Sequence, residues 1–349
     1  MKIAIYAISL NEEQFVKRFY KSCKGADYII LADTGSTDRT VEIARELGID
    51  VYSISITPWR FDTARNIALG LVPKDCDVCI ALDLDEIMTP GWRKYVEQSW
   101  QPETTRLQYL FNNGKDNVYN ATKIHKRTGY IWRHSIHEMI EPDSRCPEVW
   151  AISPHVLSEH HPDTTKSRGQ YLPMLQAAIV ENPYDHRDRW YLAREYWYHK
   201  HHEDAVREFT HYLTMPGATW YHERAFALRH IGHSYMALGK PEIALKNYRL
   251  AVDEARYIRD TWCDLAQACY DLKQWQECLY ASLQGLSITH REHMFTSTPI
   301  PWGYKLYDLA ALAAHNLGMK DTAVKYGTQA LEFAPEDARL KKNLEYYSS

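Results

Sequence analysis

Several features that would assign a protein to a broad class are missing from this 349-residue chain. The apolar run from Met1 to Ile8 meets Asn11-Glu12-Glu13 too early for a signal peptide or a membrane segment, so the protein is expected in the cytoplasm. Seven cysteines, an odd number scattered from Cys23 to Cys278, make no disulfide framework, and reduced thiols are expected. Cys76 and Cys79 form a C-x-x-C, but no second pair follows and Cys79 sits in an apolar strand-like run, which argues against metal or redox use. Charge of either sign is not in large excess: 41 Lys and Arg face 45 Asp and Glu, a net −4 that gives no global pull toward nucleic acid or anionic lipid. With 45% apolar and 25% charged residues there is no composition for a long disordered tail, and the length favours two domains.

What is present changes character halfway. Short β-rich runs alternate with amphipathic stretches over the first ninety residues: Lys2–Ile8, Glu12–Ser22, Tyr28–Ala32, Thr37–Leu47, Val51–Ile54, Phe61–Leu69 and Val78–Leu82. That rhythm is repeated βαβ, which predicts a mainly parallel α/β sheet of Rossmann-like type with helices on both faces. Ligands of such sheets bind beyond the carboxyl ends of the strands, where Asn11, Asp33 and Asp83 all fall.

From about Lys166 long helical segments rich in Ala, Leu, Tyr and Trp take over. Small residues recur twelve positions apart, at Ala193 and Ala205, Gly232 and Ala244, Ala266 and Cys278, and Ala311 and Ala323. Successive pairs are offset by 39, 34 and 45 residues, a 34-residue period with insertions after the first and third units. Small residues let the two helices of a unit approach closely, while neighbouring units bury the larger side chains. The pattern, clearest over Ala227–Leu245 and in the last unit ending at Pro335, resembles the tetratricopeptide repeat. Four degenerate units capped by Asp337–Tyr347 are expected. The domains are thus placed at 1–162 and 166–349, the second all-α.

Three segments of the first half carry chemistry. Asp33-Thr34-Gly35-Ser36-Thr37-Asp38 follows a strand and opens a helix: Gly35 permits a tight turn, Ser36 or Thr37 can cap the helix, and Asp33 is left to bond a ligand. Ala81-Leu82-Asp83-Leu84-Asp85-Glu86 ends an apolar strand in three carboxylates; spaced i and i+2, Asp83 and Asp85 can present oxygens to a divalent cation that neutralises a diphosphate. Trp59–Leu69 is an apolar-faced helix with Arg65 and Asn66 near its start, where an Arg is poorly placed for the helix dipole unless an anion or a carboxylate meets it.

Their order and spacing, from Ile8-Ser9-Leu10-Asn11-Glu12 through Ala64-Arg65-Asn66 to Leu82-Asp83-Leu84-Asp85-Glu86, resemble the family 2 glycosyltransferases, which have the GT-A fold. The resemblance implies that Asn11 and Asp33 contact the nucleotide base, that Arg65 sits near base or phosphate, and that Asp83 and Asp85 hold ribose and Mn²⁺ or Mg²⁺. Trp132–Ile140 resembles the His-Glu segment of the subgroup that also bears helical repeats, which makes Glu138 the expected general base and His137 the second choice. His160 or His161 falls where that subgroup has a metal-binding His, although Pro162 departs from its pattern. Lys123, Lys126 and Arg127 lie where a cation could meet the diphosphate, with Arg127 assigned to the donor site.

The implied reaction is metal-dependent, inverting transfer of a sugar from a nucleoside-diphosphate donor, UDP-type by preference, to an acceptor hydroxyl or other nucleophile. Saccharide, protein or peptide, and hydroxymethylated DNA bases are the acceptor classes; the acidic charge weighs against duplex DNA, and the repeats favour a macromolecule or a homodimer contact. A nucleotidyltransferase would need a Gly-rich, Arg-bearing loop after the first strand, which Ile8–Glu12 lacks. A non-catalytic repeat scaffold would have no use for Asp83, Asp85 and Glu138.

Overall fold

A computed structural model describes residues 1–348 apart from 115–117, 144, 146, 164–168 and 293. The chain forms two compact units, Met1–Met174 and Leu175–Ser349. Position 166, where the helical domain was expected to begin, lies outside the described residues. Among the described residues no helix is long and apolar enough to cross a membrane.

The first unit is built on strands β1 (Ile3–Ser9), β2 (Tyr28–Asp33), β3 (Asp50–Ser53), β4 (Val78–Ala81), β5 (Glu86–Met88), β6 (Arg106–Asn112), β7 (Val118–Lys126), β8 (Tyr130–Arg133), β9 (Met139–Pro142) and β10 (Trp150–His160). Helices α1 (Glu13–Cys23), α2 (Thr40–Glu46), α3 (Phe61–Leu71) and α4 (Trp92–Ser99) lie between the strands. Eight strands share one sheet in the order β3-β2-β1-β4-β7-β6-β10-β5, and β8 and β9 make a separate hairpin. The block β3-β2-β1-β4 is parallel, as the βαβ rhythm predicts, and β7 then enters antiparallel to both β4 and β6.

Alternation along the strands decides which helices cover which face. Ile3, Ile5, Leu31, Val78, Ile80 and Leu82 join Phe15, Val16, Phe19, Ile43 and Trp92 from α1, α2 and α4 in one core. Ala4, Tyr6, Ile30, Ala32, Cys79 and Ala81 point the other way and pack on Ala68 and Leu69 of α3 and on Trp132 and Ile140 of the hairpin. Both faces are therefore sealed, and the polar residues that follow the strand ends are left at the rim. The six described cysteines are unpaired and buried; Cys146 lies outside the described residues.

The second unit continues from α5 (Tyr171–Glu181), which straddles the boundary, into α6 (His186–Tyr198), α7 (His202–Thr214), α8 (Tyr221–Ala237), α9 (Pro241–Glu254), α10 (Arg259–Asp271), α11 (Trp275–Ser287), α12 (Lys305–Asn316), α13 (Lys320–Phe333) and α14 (Ala338–Ser348). Consecutive helices from α6 to α13 pair as four hairpins, and all eight small residues spaced twelve apart are buried in them. A methyl group on Gly232 would lie 2.6 Å from the Tyr248 ring, which shows how closely α8 and α9 approach. The histidine-rich His199–His201 forms the turn between α6 and α7, with Lys200 in left-handed backbone.

Candidate active site

The turn after β2 is held by Asp33. Its Oδ1 accepts from the hydroxyls of Ser9 (2.9 Å) and Ser36 (2.5 Å), and its Oδ2 from the amides of Gly35 and Ser36 (3.1 and 3.0 Å). Gly35, at φ 109°, supplies the left-handed residue that this turn needs. Asn11, also left-handed at φ 54°, accepts the Thr37 amide on its Oδ1 at 2.7 Å and donates its own amide to Ser36. Asn11 and Asp33 thus tie the loops after β1 and β2 together at one rim. Helix α2 starts later than expected, at Thr40: Ser36 and Thr37 are used in the turn, and Asp38 Oδ1 accepts the Thr40 amide and hydroxyl instead.

Beyond β4 the acidic loop meets α3 and the hairpin. Arg65, with only 6% of its side chain exposed, donates from Nη2 to Asp83 Oδ1 (2.7 Å) and from Nε to Glu138 Oε1 (2.5 Å), and its guanidinium lies 5.0 Å from the Trp132 ring centre. Two carboxylates distant in sequence therefore share one buried cation, which answers why an Arg stands near a helix start. Asn66 fixes the approach by donating to the Trp132 carbonyl and accepting its amide, both at 2.8 Å. Lys123 of β7 donates to Glu86 Oε1 at 2.8 Å and lies 3.5 Å from Asp83 Oδ2. The two neighbouring cations hold Asp83 well below the usual carboxylate range against the opposing effect of burial, whereas burial raises Glu86.

Asp85 stands apart from that network. Strand β5 pairs with β10 so that His160 lies opposite Glu86, and His160 Nε2 comes 3.1 Å from Asp85 Oδ2. The Asp85 contact raises the His160 pKa above its ordinary value. His161 donates its backbone amide to the Asp85 carbonyl at 2.8 Å, while its ring faces Glu159. Of the two competing histidines, His160 is the one whose ring meets Asp85. His137 adopts left-handed backbone at φ 52°, and its ring meets Tyr171 edge-on at 5.5 Å.

Glu138, Arg65, Asp83, Asp85 and His160 are linked by direct contacts or by one loop, and Asn11 and Asp33 lie at the carboxyl ends of the neighbouring strands. Arg127 is not brought to them. Because β7 runs antiparallel to β4, with Lys126 opposite Val78, position 127 falls at the amino end of β4, and its Nε donates to the Val72 carbonyl. Lys123, nearer the carboxyl end, is the β7 cation that joins Arg65 at the acidic loop. Strand register chooses between the two, and the sequence carries no mark of it.

Residues 5–156 match the family model described as glycosyl transferase family 2. This is a family 2 glycosyltransferase domain. A TPR repeat-containing protein of Synechococcus elongatus is 30% identical over 112 residues, 31% of this chain and 27% of that protein, so this chain spans about a quarter of that relative's length. Among solved structures, MamA is 17% identical and covers 49% of this chain and 93% of its own, with a TM-score of 0.41. YrrB, titled a TPR protein with an unusual peptide-binding site, is 14% identical with coverage of 52% and 84% and a TM-score of 0.40. The matched residues contain Asn11, Asp33, Arg65, Asp83, Asp85 and Glu138 and end before His160, and the second unit is built of helical hairpins.

Proposed function

We propose that this chain transfers a sugar, with inversion, from a nucleoside diphosphate donor of UDP type to a nucleophile on a macromolecular acceptor, and that a divalent ion is required. The observation that carries the reading is the convergence of Asp83, Asp85, His160 and Glu138 on one rim of the glycosyltransferase domain.

The donor set fits Mn²⁺ or Mg²⁺. Asp85 Oδ2 and His160 Nε2, 3.1 Å apart, are a carboxylate oxygen and an imidazole nitrogen that would together hold such an ion. Asp83 differs, since both its oxygens already face cations, and it serves the ribose side of the donor. A bound divalent ion would neutralise the diphosphate as it leaves. Glu138 takes the acceptor's proton: Arg65 holds its Oε1, which leaves Oε2 to meet the acceptor. Asn11 and Asp33 shape the wall against which the base rests. The repeats, half of the chain, supply surface for an acceptor of matching size.

Thermal shift with UDP, its sugars and other nucleoside diphosphates, with and without Mn²⁺, tests the reading. A rise in melting temperature for one diphosphate only with metal is expected, lost in Asp85→Asn and His160→Ala. Glu138→Gln should keep that shift while turnover falls about 10²-fold or more. No metal-dependent shift with any nucleotide would sink the proposal.

A further inference from the structure

The second unit contains a segment that its repeat does not require. Where the third and fourth units are offset by 45 residues instead of 34, the chain leaves α11 at Ser287 and enters α12 only at Lys305. Apart from a single helical turn at Ile300–Trp302, its described residues have no regular structure. Both feet of this loop rest on one side chain: Arg259 Nε donates to the Ile288 carbonyl at 2.7 Å and Nη1 to the Pro301 carbonyl at 3.3 Å, and Trp302 stacks on the guanidinium with 4.0 Å to its ring centre. With its ends held together, the loop's middle is an Ω-type excursion.

That middle runs back over earlier units. Glu292 accepts from His222 Nε2 at 2.6 Å and from the Tyr221 hydroxyl at 3.3 Å, both at the start of α8. Phe295 packs against Trp190 of α6 and Trp220, with ring centres 5.8 Å apart in each case. Thr298 donates its amide and hydroxyl to Asp260 of α10, at 2.9 and 3.0 Å. These partners come from or adjoin the first helices of three successive hairpins. The loop is therefore read as an extended ligand would be read: one carboxylate, one aromatic ring three residues later, and backbone bonding after it.

We propose that the face formed by His222, Tyr221, Trp190 and Trp220 is a binding site for an extended polypeptide presenting a carboxylate and an aromatic ring three residues on, and that this chain occupies it with its own Glu292 and Phe295. Release of the tip leaves the feet on Arg259 in place, so the site opens without unfolding a helix. A partner of the stated chemistry competes with a tethered copy of its own motif, and binding is weakened by the fraction of time the tip is away. The proposal is independent of the transfer chemistry of the first unit.

The probe is a fluorescent synthetic peptide of the sequence 289–299, titrated into the full chain. The double variant Glu292→Ala, Phe295→Ala is expected to bind it at least tenfold more tightly than the unaltered chain, and adding Trp220→Ala should remove the gain. In the unaltered chain, hydrogen exchange should find the amides of 294–298 at least tenfold faster than those in the middle of α8 and α10. The proposal is overturned if the double variant, with helix content and cooperative melting intact, binds the peptide no better than the unaltered chain. It is equally overturned if the tip amides are as protected as the helices, a result that stands even should the double variant fail to fold.

Discussion

At the scale of single residues, the rim is an arrangement of charges that cancel one another. Glu86 is buried, and Lys123 is its partner, with 4% and 27% of the two side chains exposed. Removing one member of such a pair leaves the other unpaired. Lys123→Met should cost about 2–4 kcal/mol, at the low end of the range for sealed pairs because the ammonium still reaches water. Adding Glu86→Gln should restore part of that loss, since a neutral amide tolerates the site. Urea unfolding of the single and double variants measures both; a single variant as stable as the parent would show that the pair contributes nothing. The same residue scale is where reading from sequence was most uneven. Arg65 announced itself by standing near a helix start without an anion, and its carboxylates are now Asp83 and Glu138. Arg127 and Lys123 gave no such signal, because which of them reaches the acidic loop depends on the pairing of β7 with β4.

Among elements, the clearest statement is the approach of α8 to α9. Gly232 is there because its neighbour is Tyr248: any Cβ would fall within 2.6–2.9 Å of three ring atoms. Gly232→Ala would gain helix propensity of about 1 kcal/mol and lose more through overpacking of about 1–3 kcal/mol. The expected sign is therefore destabilisation, read as a lower midpoint in urea; a raised midpoint would show that Tyr248 swings away freely. The twelve-residue spacing of small residues was visible in the sequence because it is a local periodicity imposed by one helix pair. The late start of α2 was not, because Ser36 and Thr37, good caps in isolation, are recruited across the chain by Asp33 and Asn11.

For the whole molecule, acid stability is set partly by a buried histidine behind the rim. Trp132 Nε1 donates to the Tyr6 hydroxyl, which donates to His125 Nε2, and His125 Nδ1 donates to the Lys126 carbonyl. Burial lowers the His125 pKa from 6.5 to about 4. The folded state then refuses a proton that the unfolded chain accepts below pH 6.5, so stability falls as pH drops from about 6.5 to 4 and levels off below. At about 1.4 kcal/mol per pH unit this amounts to roughly 3 kcal/mol. His160, raised by Asp85, acts in the opposite sense, so the difference between the parent and His125→Gln isolates the buried ring. Unfolding free energies at pH 7, 6 and 5 should converge for the two proteins as pH falls; parallel profiles would refute the assignment.

Sequence alone determined the α/β and helical-repeat halves, the βαβ order and the short motifs, because each is written in local periodicity or in turn chemistry within a few residues. Only the tertiary structure decided that Arg65 joins Asp83 to Glu138, that Lys123 and not Arg127 serves the acidic loop, and that His160 meets Asp85. Those contacts depend on strand register and on which chain segments cross, and both follow from burying two sheet faces at once, a condition that no short window of sequence contains.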